Sequence, residues 1–317
     1  MSNFVISLDF ELFWGVFDSR SLSGYRSNVE GEWQVIPRIL SLFRRYEVSA
    51  TWATVGMLMC RDYAQWCDFR PTCIPTYARS QCCPYSMDVV VRENPTLFFA
   101  RPLIDQILTT QRQEIASHSY SHFYCGEAGV TPQQFRADLE CARLIGAEVG
   151  VKYKSFVFPR NQIVDEYLKE LKNAQFLCFR GNPNYWLYRE GHFVPGGYAG
   201  RAVRLIDAYL PVSGSLLTEV SDVQSLVNIP ATLSLRPWSH NLSLLESLRL
   251  RRIKSAMSSA AESDGIFHLW WHPHNFGLNI EENLVVLDSI LQHYVFLRDK
   301  YGMCSATMND IATGEQY

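Results

Sequence analysis

The sequence has no apolar run approaching the roughly 20 residues that span a bilayer, so no stable membrane insertion is expected. It has no excess of positive charge. Its 29 Lys and Arg stand against 32 Asp and Glu, a formal net charge of −3, which argues against a nucleic-acid polyanion as the main partner. The first residues lack the basic, apolar and small-residue order of a secretion signal, so a cytoplasmic location is expected. The nine cysteines are odd in number, scattered, and without the Cys-x-x-Cys pairs of a structural zinc site. Free thiols in a reducing compartment are the expectation. Internal repeats, low-complexity tracts and linkers are also missing, so residues 1–317 read as one domain. The composition, 47% hydrophobic and 19% charged, fits a globular protein with a sizeable core.

What the sequence does contain is alternation. Strand-like apolar runs at 4–8, 49–54, 155–158, 176–179, 266–271 and 303–306 are separated by segments of helical period near 33–46, 97–109, 131–145, 164–171, 242–261 and 279–301. Thr131, Pro132 and Gln134 form the start signature of one of these helices. Such alternation implies a parallel sheet with crossover helices, open or closed into a barrel. Two stretches interrupt it. Residues 57–96 hold Cys60, Cys67, Cys73, Cys82, Cys83 and four prolines, and read as a long insertion over the strand ends. Its aromatic residues Tyr63, Trp66, Phe69, Tyr77 and Tyr85 predict order, as a substrate lid or as a packed excursion. Further on, Gly191, Gly196, Gly197 and Gly200 predict loops.

Three apolar runs end in side chains suited to chemistry. In Glu114-Ile115-Ala116-Ser117-His118-Ser119-Tyr120-Ser121-His122, a strand running out into a helical turn would bring both imidazoles within reach of one ion. In Phe4-Val5-Ile6-Ser7-Leu8-Asp9-Phe10-Glu11, the strand period points Asp9 and Glu11 to the same side. In Ile266-Phe267-His268-Leu269-Trp270-Trp271-His272-Pro273-His274, the three histidines share strand parity. One site at the strand C-termini of an α/β fold is implied.

With these segments in this order, the chain resembles the NodB-type polysaccharide deacetylases, carbohydrate esterase family four. Ala50-Thr51-Trp52-Ala53-Thr54-Val55-Gly56 is similar to that family's second strand. The resemblance implies a distorted (β/α) barrel of about seven strands. It also implies a metal-dependent hydrolase that deacetylates an N-acetylated saccharide in cell-surface polysaccharide synthesis. One divalent ion, zinc by expectation, would be held by His118, His122 and a carboxylate of the first motif. The family's adjacent aspartates are replaced by Asp9-x-Glu11. By order Asp9 is then the base and Glu11 the ligand, with the reverse open. His272 is the candidate general acid, His274 its alternative, and His268 a packed or orienting histidine.

Other features depart from the family. Val157 stands near the place of its base-orienting arginine, and Arg160 follows Pro159. Arg160 could orient the base from another direction, hold an anionic group of the substrate, or form a structural salt bridge. The usual Asp-Trp motif is absent, and Arg180-Gly181-Asn182 sits near its place. Two further readings remain open: hydrolysis of another C–N substrate such as a cyclic amide, and a non-catalytic relative that binds saccharide.

Overall fold

The computed structural model describes residues 1–183, 185, 203, 205–209, 216 and 218–315. The loops expected around Gly191, Gly196, Gly197 and Gly200 lie outside the described residues. Within them, ten strands form one sheet. In chain order these are β1 (Asn3–Phe10), β2 (Ala50–Thr54), β3 (Gln113–Ser117), β4 (Ser155–Phe156), β5 (Cys178–Phe179), β6 (Ser221–Val223), β7 (Leu226–Asn228), β8 (Leu233–Ser234), β9 (Ile266–Trp271) and β10 (Cys304–Ala306). The sheet order is β6-β7-β5-β4-β3-β2-β1-β9-β8, with β10 on the first residues of β1. Every pairing is parallel except that of β6 with β7. The alternating pattern implies a parallel sheet, and the curled sheet with helices around it is the NodB-like α/β fold that the family resemblance implies. β6, β8 and β10 are short additions to the seven or so strands expected.

β1 is buried along nearly its whole length, as a central parallel strand covered on both faces must be. On one face Phe4, Ile6, Leu8 and Phe10 join the main core with Trp52, Phe43 and the apolar stripes of the helices. On the other, Val5 joins Ala53, Val157, Cys178, Ile229 and Met308 in a smaller cluster. Ser7, Asp9 and then Glu11 continue the row that Val5 begins.

The first helix, α1 (Leu22–Tyr46), starts eleven residues before the apolar period announces it. Ser21 caps it by accepting from the Gly24 N–H at 3.2 Å. The early turns carry little apolar bulk because they pack through backbone. A Cβ on Gly31 would lie 2.0 Å from the Gly277 carbonyl oxygen, and one on Gly277 would lie 1.9 Å from that of Asn28. Asn28 Nδ2 also donates to the His274 carbonyl at 3.3 Å. This contact fixes the turn that follows β9.

The 57–96 segment is built of short helical pieces, among them α2 (Tyr63–Asp68) and α3 (Asp88–Glu93). Trp66 is buried against Trp14, with ring centroids 5.8 Å apart, and stacks on Tyr85 at 6.1 Å. The segment also ties into the loop after β3. Tyr77 Oη accepts from the Tyr124 N–H at 2.9 Å, Ala78 N–H donates to the Ala128 carbonyl at 2.8 Å, and Arg79 pairs with Glu127 at 2.7 Å. All nine cysteines are free.

Forcing a branched side chain between α1 and the β9 turn should displace both. Gly31→Val is expected to destabilise the protein by about 1–3 kcal/mol, the usual cost of overpacking, measured by urea unfolding. An unchanged midpoint would mean that α1 can shift without loss.

Candidate active site

The site lies at the C-terminal ends of β1, β3, β5 and β9. Glu11 follows β1 directly. The chain then turns through Leu12, at φ 47°, into a short 3-10 helix. A Cβ on Gly15 would lie 1.7 Å from Glu11 Oε2, so glycine there leaves room for the carboxylate. His118 and His122 follow β3, but not on a regular helical turn: Ser119 and His122 are left-handed, with φ of 59° and 56°. Asp138, inside the helix Pro132–Glu148, holds this bend. It accepts from the N–H groups of Tyr120 at 2.7 Å and Ser121 at 3.1 Å, and from the Ser121 hydroxyl. Burial raises the Asp138 carboxyl to about 6, even though these donors favour its charged form.

The two imidazoles converge on one oxygen. His118 Nε2 is 2.9 Å and His122 Nε2 3.0 Å from Glu11 Oε1, and Glu11 is 2% exposed. His118 Nδ1 donates to the Val157 carbonyl at 2.8 Å. In the neutral ring Nε2 therefore carries a lone pair, directed at a carboxylate oxygen that also has only lone pairs. A divalent ion among them would give all three a partner. Glu11, His118 and His122 are thus a fitting donor set for a divalent ion. Burial pushes the His122 imidazole below its ordinary pKa, toward the neutral form that a ligand needs.

Asp9 lies beside this group, 3% exposed. Arg180, which follows β5 directly, meets it in a two-pronged ion pair. Nη1 to Oδ1 is 2.6 Å and Nη2 to Oδ2 is 2.7 Å. Arg180 also donates to Ser7 Oγ at 3.0 Å and Asn161 Oδ1 at 2.9 Å, and lies 4.3 Å over the Trp270 ring. Burial pushes the Asp9 carboxyl up, but the guanidinium outweighs it and holds the group below its ordinary value.

His272 Nε2 sits 3.7 Å from both Asp9 Oδ2 and Glu11 Oε1, with the side chain 28% exposed. His274 stacks behind it, centroids 5.0 Å apart, and is buried edge-on to Tyr25. Burial and the neighbouring His272 push His274 down to about 3. His268 is buried deeper on the same strand face, with Nε2 2.8 Å from Ser7 Oγ.

The structure therefore brings Asp9, Glu11, His118, His122 and His272 together. Arg160 is elsewhere: it pairs with Asp18 at 2.6 Å and lies 4.0 Å over the Tyr124 ring, on the rim. The guanidinium at the carboxylate of Asp9 is that of Arg180, with no Arg160 group among the partners of that carboxylate. Sequence reading assigned no role to Arg180 or Asp138. The one available signal for Arg180 was its place directly after an apolar strand, the same signal that marked Asp9 and His272. Asp138 sits inside a helix and carried none.

Residues 27–179 match the family model described as polysaccharide deacetylase, a span that includes His118 and His122. Over that span the chain is similar to this family, a likeness that supports a deacetylase activity. A candidate polysaccharide deacetylase from Mycobacterium smegmatis has a similar structure at 14% identity. The match covers 99% of this chain and 90% of that one, with a TM-score of 0.61. One from Pseudomonas aeruginosa PAO1 matches at 15% identity over 98% and 89%, with a TM-score of 0.56. A 4-alpha-glucanotransferase from Thermococcus litoralis matches at 10% identity over 99% of this chain and 40% of its own, also at 0.56. At such identities the likeness is one of fold. No curated protein matches the sequence.

His274 gives a pH test. A histidine whose folded pKa lies below its unfolded value is protonated first in the unfolded chain, so acid favours unfolding. Its penalty is absent above about pH 6.5 and grows as pH falls toward 3. His274→Phe should therefore gain stability relative to wild type between pH 6.5 and 4, by paired urea titrations. A pH-independent difference would mean that His274 is not held neutral.

Proposed function

We propose that the protein is a zinc-dependent hydrolase that removes the acetyl group from an N-acetylated sugar, acting in the cytoplasm in cell-surface polysaccharide biosynthesis. The observation that carries this reading is the convergence of two imidazole nitrogens on Glu11 Oε1, beside an aspartate clamped by arginine. Two imidazoles and one carboxylate suit zinc and leave positions open. Among the described residues no helix is long and apolar enough to cross a membrane.

Glu11, His118 and His122 are the ligands. A divalent ion held by them would supply polarisation of the acetyl carbonyl and a lowered pKa for a bound water. Asp9, kept ionised by Arg180, takes the proton of the attacking water. Arg180 fixes both carboxylate oxygens in one plane, so that the base needs no reorientation. His272 is the general acid. It is the part-exposed group of the site, and it faces both carboxylates across the opening. It gives its proton to the leaving amine of the sugar. His274 is buried behind it and cannot reach a substrate, and its neutral ring backs His272 without charge repulsion. On the rim, Arg160 is held by Asp18 and acts on the shape of the mouth rather than on the base.

Three variants separate the roles. His118→Ala should lose bound metal by elemental analysis, whereas Asp9→Asn should keep it and lose most acetate release. Glu11→Gln should weaken metal binding. The opposite behaviour of Asp9 and Glu11 would exchange their roles, and wild-type protein that binds metal but releases no acetate would favour another C–N substrate or saccharide binding alone.

His272→Ala should lower kcat by about 10²–10⁴-fold on an N-acetyl substrate, the usual worth of a general acid, with metal content unchanged. On an activated acetate ester, whose leaving group needs no proton, the loss should be much smaller. Equal losses on both substrates would remove His272 from the acid role.

A further inference from the structure

Below the base lies a buried chain of polar contacts that the proposed mechanism leaves unused. Ser7, two residues before Asp9 on β1, is fully buried. Its hydroxyl meets Arg180 Nη1 at 3.0 Å and His268 Nε2 at 2.8 Å. The four Nη hydrogens of Arg180 are all used: two on Asp9, one on Ser7 and one on Asn161. Guanidinium only donates, so the Ser7 oxygen must offer it a lone pair. The single hydrogen of the hydroxyl then points away, to His268 Nε2, which must accept. If Nε2 were protonated, Ser7 would accept twice and its own hydrogen would be buried without a partner, whereas the Nδ1–H of the other tautomer faces the Ile229 and Pro230 carbonyls. Burial, with the charge of Arg180 next, pushes His268 down to about 3, so its ring is neutral. The strand around His268 is fixed as well: its backbone N–H donates to Thr232 Oγ1 at 2.9 Å, and its carbonyl accepts from the Thr232 N–H at 2.8 Å.

We propose that Ser7 and His268 form a positioning relay for the base: His268 directs the Ser7 hydroxyl, and the hydroxyl sets the angle at which Arg180 meets Asp9. The relay rests on reading Asp9 as the base. Neither residue touches substrate. Their effect reaches the reaction through the placement of one carboxylate, where an error near 1 Å can cost on the order of 10²-fold in rate.

The test uses the full-length, zinc-loaded protein. Nitrogen-15 NMR of wild type, with the His268 signals assigned by their loss in His268→Gln, should show a neutral ring with Nε2 unprotonated. In a crystal structure of Ser7→Ala, Arg180 should turn from its two-pronged contact with Asp9. In kinetics, Ser7→Ala and His268→Leu should each lower kcat about tenfold with KM and zinc content unchanged. Residues acting through one chain are non-additive, so the double variant should be no worse than the worse single. Ser7→Thr and His268→Gln, which keep the hydroxyl and an acceptor, should stay within about threefold of wild type. A protonated Nε2, an undisturbed Arg180 in Ser7→Ala, or additive losses would each overturn the relay. If wild type releases no acetate, the catalytic reading fails, and the NMR and crystallographic results still decide whether the relay exists.

Discussion

The ion pair between Asp9 and Arg180 sets the terms for everything around it. A carboxylate 3% exposed would take up a proton if left alone, and a base that is protonated is useless. Removing one partner of such a pair costs about 3–5 kcal/mol. The pair also dictates the shape of the sheet. β5 and β1 are four places apart in the strand order. In a flat sheet their ends would be about 19 Å apart, four times the usual strand spacing. A contact at 2.6 Å requires the sheet to curl until the two strand ends face each other. The same curl brings His118, two strands from β1, onto Glu11.

The interior of the curl is layered along the strands. Val5, Val157, Cys178, Ile229 and Met308 form an apolar floor. Ser7 and His268 lie above it, then Asp9 and Arg180, and at the mouth Glu11 with the ligand histidines and His272. Polarity rises toward the opening, and every step is a move of two residues along β1 or β9. Register makes this possible. Val5 pairs with His268 and Ser7 with Trp270, so the chemical side chains of both strands share one face.

That regularity explains what could be read from the sequence. Asp9, Glu11, His118 and His272 sit at or just beyond the end of an apolar run, where period two applies, and His122 follows His118 at a four-residue spacing that is short-range enough to read without the tertiary fold. The alternation of strand and helix gave the architecture for the same reason. The partners of these groups were less legible. Arg180 is 171 residues from Asp9, and only the curl of the sheet says which arginine reaches it. Local order pointed instead to Arg160, which follows the strand where the family's arginine is expected but is drawn to Asp18. Asp138 is invisible because a buried capping carboxylate inside a helix reads like any surface acid. The early turns of α1 were missed because glycine contacts leave no apolar period.

The left-handed bend that carries His118 and His122 has one bond of its own, from the Phe123 N–H to Ser119 Oγ at 2.7 Å, and is otherwise held from outside. Asp138 fastens it from one side, and Tyr77 and Arg79 of the 57–96 segment fasten the chain just beyond it. None of these residues belongs to the barrel's strands. The segment is therefore not a removable ornament on a minimal barrel. A shortened protein that kept all ten strands but lost residues 76–79 would retain its sheet and lose the geometry of its ligands. Ion affinity in this chain is accordingly a property of the assembled periphery as much as of the three ligating side chains.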